Sequence, residues 1–163
     1  MRSTATGTFS ERDVKDALPY EQPIYIEEEY KMGKYLERCK ELRADASRHY
    51  GCSQAVFIPV AEDYGMDHET AFKVSSNFRA GMLTGSVCGA VTGGLMALGL
   101  ADASNQLVME YLKRLKEAHD GSLDCNVLLD RWSKLGNTNR KPHCDGMCFE
   151  CMALVEELLG VAD

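Results

Sequence analysis

Apolar residues along most of this chain recur at three- and four-residue steps, the spacing of one helix face. No segment sustains the alternation of a half-buried strand. Tyr35, Leu36, Cys39 and Leu42 mark the first such face, and the pattern predicts a helix from Glu27 to about Tyr50 that stops at Gly51. A second helix opens at Cys52 and closes at Tyr64 and Gly65, with Pro59 inside it predicting a kink or a break. Asp67 is placed to cap a third over 69–77. After a glycine-rich turn from Gly81 to Gly85, Ser86 is read as the cap of a fourth helix that carries Cys88 and ends at Gly99. Leu107, Tyr111, Leu112 and Leu115 mark a fifth, ending before Gly121. Ser122 is read as the cap of a sixth, with Cys125, Leu128, Leu129 and Trp132 along it and Gly136 as its stop. A polar loop from Gly136 to Pro142 leads to a last helix with Cys148, Cys151, Leu154, Val155, Leu158 and Leu159. The expected fold is all-α: a compact bundle of about six or seven helices.

Residues 1–26 show no period, and Pro19 and Pro23 discourage helix there. They are read as an extended N-terminal arm whose apolar residues suit lying on a surface, a partner's included. Residues 27–163 form the helical domain. Met1 to Glu11 has neither an apolar core nor a cleavage-site pattern, so no secretory signal and a cytoplasmic, reducing location are expected. From Ala80 to Ala101 there is no charged residue, but six glycines with Thr84, Ser86 and Thr92 interrupt the apolar run. A buried central helix fits that stretch better than a transmembrane one.

The net charge of −7 argues against nucleic acid and against a basic membrane-surface helix. An acidic surface suits a basic protein partner. The remaining chemistry is sulfur. Seven cysteines stand at 39, 52, 88, 125, 144, 148 and 151. In a reducing compartment a cysteine-rich chain more often binds metal or does redox chemistry than forms structural disulfides. Cys52, Cys88 and Cys125 each fall at a predicted helix start, where unpaired N–H groups and the helix dipole favour a thiolate. Three such starts aimed at one place would make a pocket for an anionic metal–thiolate centre.

Cys144, Cys148 and Cys151 follow a C-x3-C-x2-C spacing. That spacing holds a four-iron cluster in radical S-adenosylmethionine enzymes, but no strands are present to build their barrel. Local cluster or zinc binding stays open, with His143 as a candidate fourth ligand or a solvated loop histidine. Met152 follows Cys151, so this is not a c-type haem attachment site. Cys39 alone is as well explained as core filling. The stripe Gly85, Gly89, Gly93 reads either as backbone approaching a cofactor or as tight helix packing. His49, His68 and His119 read as surface or capping residues, and the run Glu27-Glu28-Glu29 as a solvated face. No phosphate loop, nucleophile elbow or zinc-protease motif is present, and no residue set points to substrate turnover.

The segment Cys88-Gly89-Ala90-Val91-Thr92-Gly93 resembles the central motif of a redox-active protein family named for a C_GCAxxG_C_C cysteine pattern. Tyr50-Gly51-Cys52-Ser53-Gln54-Ala55-Val56 resembles that family's first cysteine segment. Tyr64-Gly65-Met66-Asp67 with Glu69-Thr70-Ala71 resembles its next helix start. Gly121-Ser122-Leu123-Asp124-Cys125 resembles the third cysteine segment, and Cys151 with Val155, Leu158 and Leu159 the last. The resemblance runs from about Tyr35 to Leu159. It implies an all-helical redox domain with Cys52, Cys88, Cys125 and Cys151 as the functional four, and kinship with the helical iron–sulfur domain of split-Soret cytochromes. The haem motifs of those cytochromes are missing here.

The function expected is an iron–sulfur protein, [2Fe-2S] favoured over [4Fe-4S], carrying electrons to or from a partner enzyme. Cys39, Cys144 and Cys148 exceed the family pattern, and Cys144 or Cys148 could replace Cys151. Three alternatives stand beside this: a thiol–disulfide redox protein, a structural zinc protein using the C-terminal cysteines, and a helical interaction subunit whose cysteines fill the core. The arm and the glycine-rich helix are compatible with a homodimer.

Overall fold

The computed structural model describes residues 33–161, and these form seven α-helices: α1 (Lys34–Ala44), α2 (Cys52–Asp63), α3 (His68–Ser75), α4 (Gly89–Leu100), α5 (Asn105–Ala118), α6 (Cys125–Lys134) and α7 (Lys141–Leu159). The fold is all-α as expected. Among the described residues the only β feature is an isolated antiparallel bridge between Val87 and Asp124. Among the described residues no helix is long and apolar enough to cross a membrane. The arm expected over 1–26 and the start expected for the first helix at Glu27 lie outside the described residues.

Two helices make the centre because their sequences are apolar on nearly every side. In α2, every residue from Ser53 to Ala61 is buried, and α4 buries Gly89, Ala90, Val91, Gly93, Gly94, Ala97 and Leu98. Their mutual packing is the most extensive in the molecule. Small residues let the two backbones close: a Cβ on Gly93 would stand 2.7 Å from the Ser53 carbonyl oxygen and 3.1 Å from its Cα. One on Gly94 would collide with the Tyr111 hydroxyl of α5. α7 lies across α1, α2 and α4, and α3 covers the other side of α2. α5 and α6 are amphipathic and peripheral, burying mainly Tyr111, Leu115 and Leu128.

Several boundaries differ from the sequence expectation, each for a local reason. α1 ends at Ala44, well before Gly51, because the Asp45 carboxylate accepts from both the backbone and the hydroxyl of Ser47 and turns the chain. Gly51 is instead the N-cap of α2. Pro59 removes one hydrogen bond within α2 without ending it. Neither Ser86 nor Ser122 is the N-cap of the helix that follows it. Cys88 itself is the N-cap of α4, and Asp124 that of α6. α7 starts at Lys141, so the last two residues of the expected loop, Lys141 and Pro142, belong to its first turn, and Cys144 lies within it. The fit of Asp67 as the α3 cap held: its carboxylate accepts from the Thr70 N–H at 3.0 Å.

The turn between α3 and α4 is unusual. Ala80, Gly81, Met82 and Leu83 have φ of 51, 63, 55 and 61° in succession, one turn of left-handed backbone. Non-glycine residues there cost about 1 kcal/mol or more each. The turn reverses the chain so that Ser86 to Cys88 can meet Leu123 to Cys125.

Candidate functional site

The three helix N-termini that carry Cys52, Cys88 and Cys125 meet at one cavity, and the structure shows what brings them together. The Cys88 N–H donates to the Leu123 carbonyl at 2.8 Å, and the Cys125 N–H donates to the Ser86 carbonyl at 2.7 Å. This two-rung ladder fixes the start of α4 against the start of α6. Cys88 is then the N-cap of α4 and Cys125 the first residue of α6. Cys52, first residue of α2, is brought to the same place by the close α2–α4 contact. Gly89 makes room for it: a Cβ at that position would overlap the Cys52 sulfur. Of the two readings of the glycine stripe, Gly93 serves helix packing, while Gly89 clears space for a cysteine.

Cys52, Cys88, Cys125 and Cys144 line a single cavity of about 380 Å³. Cys151, expected to join the first three, does not line it. It is fully buried deeper along α7, beside the Tyr111 hydroxyl and within electrostatic reach of Cys88. Cys144, Cys148 and Cys151 follow one another down one face of α7, with Cys144 at the cavity and the others beneath. Seven residues of helix separate the ends of that series by about 10 Å. Cys148 lies behind Cys52, its thiol 3.7 Å from the Cys52 carbonyl oxygen, and Cys39 stands 4.0 Å from the Cys148 carbonyl oxygen.

Burial dominates the thiol chemistry. It pushes Cys88 up to about 12, with Cys52 and Cys125 adding to the shift while the N–H groups of Ala90 and Val91 oppose it. It pushes Cys144 up to about 11, with Cys52 and Cys125 again adding and Arg43 and Arg140 opposing. Cys125 is raised as well, by burial first and then by Cys52. Cys39, Cys148 and Cys151 are held far in the thiol form. A bound cation would relieve this crowding, since each thiolate is disfavoured by lost water and by its neighbours.

A labelling experiment follows. In reduced, metal-free protein Cys144 should alkylate slowly at pH 7, its rate climbing about tenfold per pH unit until near its raised pKa. Cys39, Cys148 and Cys151 should label only after unfolding. Mass spectrometry of iodoacetamide-treated protein checks this, and rapid labelling of Cys144 at pH 7 would contradict it.

Sequence reading missed the cations here. Arg43, Arg79, Arg140 and Lys141 line the cavity, against one carboxylate, Asp45. A net charge of −7 gives no hint of this. Arg43 is the structural member, 8% exposed. Its guanidinium donates to Asp145 and to the Tyr50 carbonyl, both at 2.6 Å. It thus ties α1 to the residue two before Cys52 and to the residue after Cys144.

Two histidines are more buried than expected, His143 and His119, although His119 is also the C-cap of α5; the exposed His49 and the half-buried His68 at the start of α3 fit the surface or capping places expected. His143 is buried, packs against Trp132 at 5.6 Å between ring centroids and lines the cavity. Burial, then His119, lowers its pKa to about 4. His119 is buried against Glu150 at 2.8 Å, and His68 bonds Glu62 at 2.6 Å. The His119 partner lies 31 residues away, which no local pattern reveals. His49 lines the cavity.

An all-helical protein that gathers thiols from separate helix starts around one cavity belongs, by class, with the cysteine-based redox proteins. Over residues 50–158 the chain matches the family described as "Putative redox-active protein (C_GCAxxG_C_C)", and it is a member of that family. No curated protein and no solved structure matches it.

Proposed function

We propose that this redox-active protein binds an iron–sulfur cluster through Cys52, Cys88 and Cys125 with one α7 cysteine, and passes electrons to a protein partner. The observation that carries the reading is the gathering of four thiols around one cavity, three of them at helix N-termini. The donor set fits the group: soft sulfur ligands and backbone N–H groups facing the Cys88 sulfur. Among the described residues no three His, Cys, Asp or Glu side chains stand close enough to hold a single metal ion. An iron–sulfur cluster supplies a one-electron ferric–ferrous change.

The fourth ligand is Cys144, because it lines the cavity and Cys151 does not. The family pattern points to Cys151 instead. Cys88 is buried and Cys52 half-buried where α2 meets α4, and Arg43 holds the Cys52 and Cys144 segments in register. Thiol–disulfide exchange is less well supported, since it needs an exposed thiol of depressed pKa, and burial raises Cys88, Cys125 and Cys144.

Anaerobically purified protein should absorb above 400 nm and carry about two irons and two sulfides per chain. Cys52→Ser should abolish both, because Cys52 sits in reach of Cys88, Cys125 and Cys144 alike. Cys144→Ser should do the same while Cys151→Ser keeps the chromophore; the reverse outcome assigns the fourth place to Cys151. A colourless, iron-free wild type under these conditions removes the proposal.

A further inference from the structure

We infer that the mouth of the thiol cavity is a binding site for a small dianion of sulfate or phosphate type, held by Arg79 and Arg140. Seven arginines lie among the described residues, and five are engaged. Arg38 bonds Glu41 and Glu62, Arg43 bonds Asp145, Arg48 bonds Glu69, Arg114 bonds Glu157, and Arg131 donates to the His119 carbonyl. Arg79 and Arg140 have no such partner among the described residues, and both line the same cavity. This is unusual in a chain with 25 acidic against 18 basic residues, where a carboxylate is the easier thing to find.

The rest of the wall does not neutralise them. Asp45 is the one lining carboxylate, and its Oδ1 already accepts from the Ser47 N–H and hydroxyl. The neighbouring cations Arg43 and Lys141 are both taken up by Asp145. Two guanidiniums are thus left facing about 380 Å³ of space, with Asn139 and His49 beside them as further hydrogen-bonding groups. The guanidinium fork matches the spacing of paired oxygens on a tetrahedral oxyanion. Such an anion could be free in solution or the terminal group of a larger molecule; the chemistry of recognition is the same.

The single tryptophan supplies the readout. Trp132 donates its indole N–H to the Asn139 carbonyl at 2.9 Å and packs on His143, and both residues line the cavity. Reduced full-length protein is titrated with sodium sulfate, sodium phosphate and phenyl phosphate, with ionic strength held constant by sodium chloride. Saturable change in Trp132 fluorescence is expected for the dianions and none for chloride. Tighter binding of phenyl phosphate would identify the terminal group of a larger molecule as the natural occupant, and equal binding the free anion. Arg79→Ala and Arg140→Ala should each weaken binding about tenfold or more, while Arg114→Ala leaves it unchanged. Circular dichroism confirms folding; if Arg79→Ala fails to fold, the exposed Arg140 decides alone. Absence of saturation, or wild-type affinity in Arg140→Ala, overturns the inference. The outcome is separable from the cluster reading: iron-free protein that binds sulfate keeps this site and loses the cluster, and iron-loaded protein indifferent to all three anions does the opposite.

Discussion

Gly89→Ala should abolish binding of the proposed cluster although every cysteine is still in place. The added methyl group would overlap the Cys52 sulfur, and it would stand 2.9 Å from the Arg79 Cα and 3.0 Å from the Phe78 carbonyl oxygen. Two of these three neighbours are backbone and cannot rotate away. The sulfur must therefore leave its position, or α4 must lift from α2. A metal–thiolate bond tolerates only about 0.2 Å of misplacement, so either response would break the proposed ligation at Cys52. The overpacking should also cost about 1–3 kcal/mol of stability. Iron and sulfide content with absorbance above 400 nm measures the first effect, and thermal unfolding of the metal-free protein the second. Gly99→Ala is the control. It lies in the same helix, has nothing within 4 Å of its added Cβ, and should leave the site intact. A Gly89→Ala protein with wild-type iron would mean that Cys52 is not a ligand.

The second large effect is expected from a residue outside the cavity. Glu156→Ala should destabilise the domain by about 2–4 kcal/mol, read as a lower denaturant midpoint. The N-cap of α1 is Gly33, which has no side chain to cap the helix. The buried carboxylate of Glu156 on α7 does so instead, accepting from the N–H of Tyr35 at 2.5 Å and of Leu36 at 3.1 Å. Alanine would leave both donors unpaired in a dry environment and a void where the carboxylate had been. Glu156→Gln retains an acceptor oxygen and should recover much of the loss. The consequence reaches the site, because α1 contributes Leu42 and Arg43 to the cavity wall. Loosened α1 would release the Tyr50 carbonyl and Asp145 from Arg43. Unchanged stability in Glu156→Ala would show that α1 is held by its apolar face alone.

Sequence by itself determined the helices and the chemistry. The three- and four-residue period around Tyr35, Leu36, Cys39 and Leu42 is a local property of the chain, and so is the glycine that follows α2 and the aspartate that caps α3. The same holds for three cysteines at helix starts, because the signals that open a helix lie within a few residues of its first turn. Tertiary structure decided which of those thiols share a space. The backbone ladder between Ser86–Cys88 and Leu123–Cys125, the clearance that Gly89 gives Cys52, and the place of Cys144 at the cavity with Cys151 behind it all depend on contacts between distant segments. So does the pairing of Glu156 with a helix start 121 residues earlier, and the gathering at one cavity of two arginines that have no carboxylate partner among the described residues. Helix periodicity says which face is buried but not which partner buries it, because packing partners are selected by shape and small residues across the whole chain and leave no mark at either position alone.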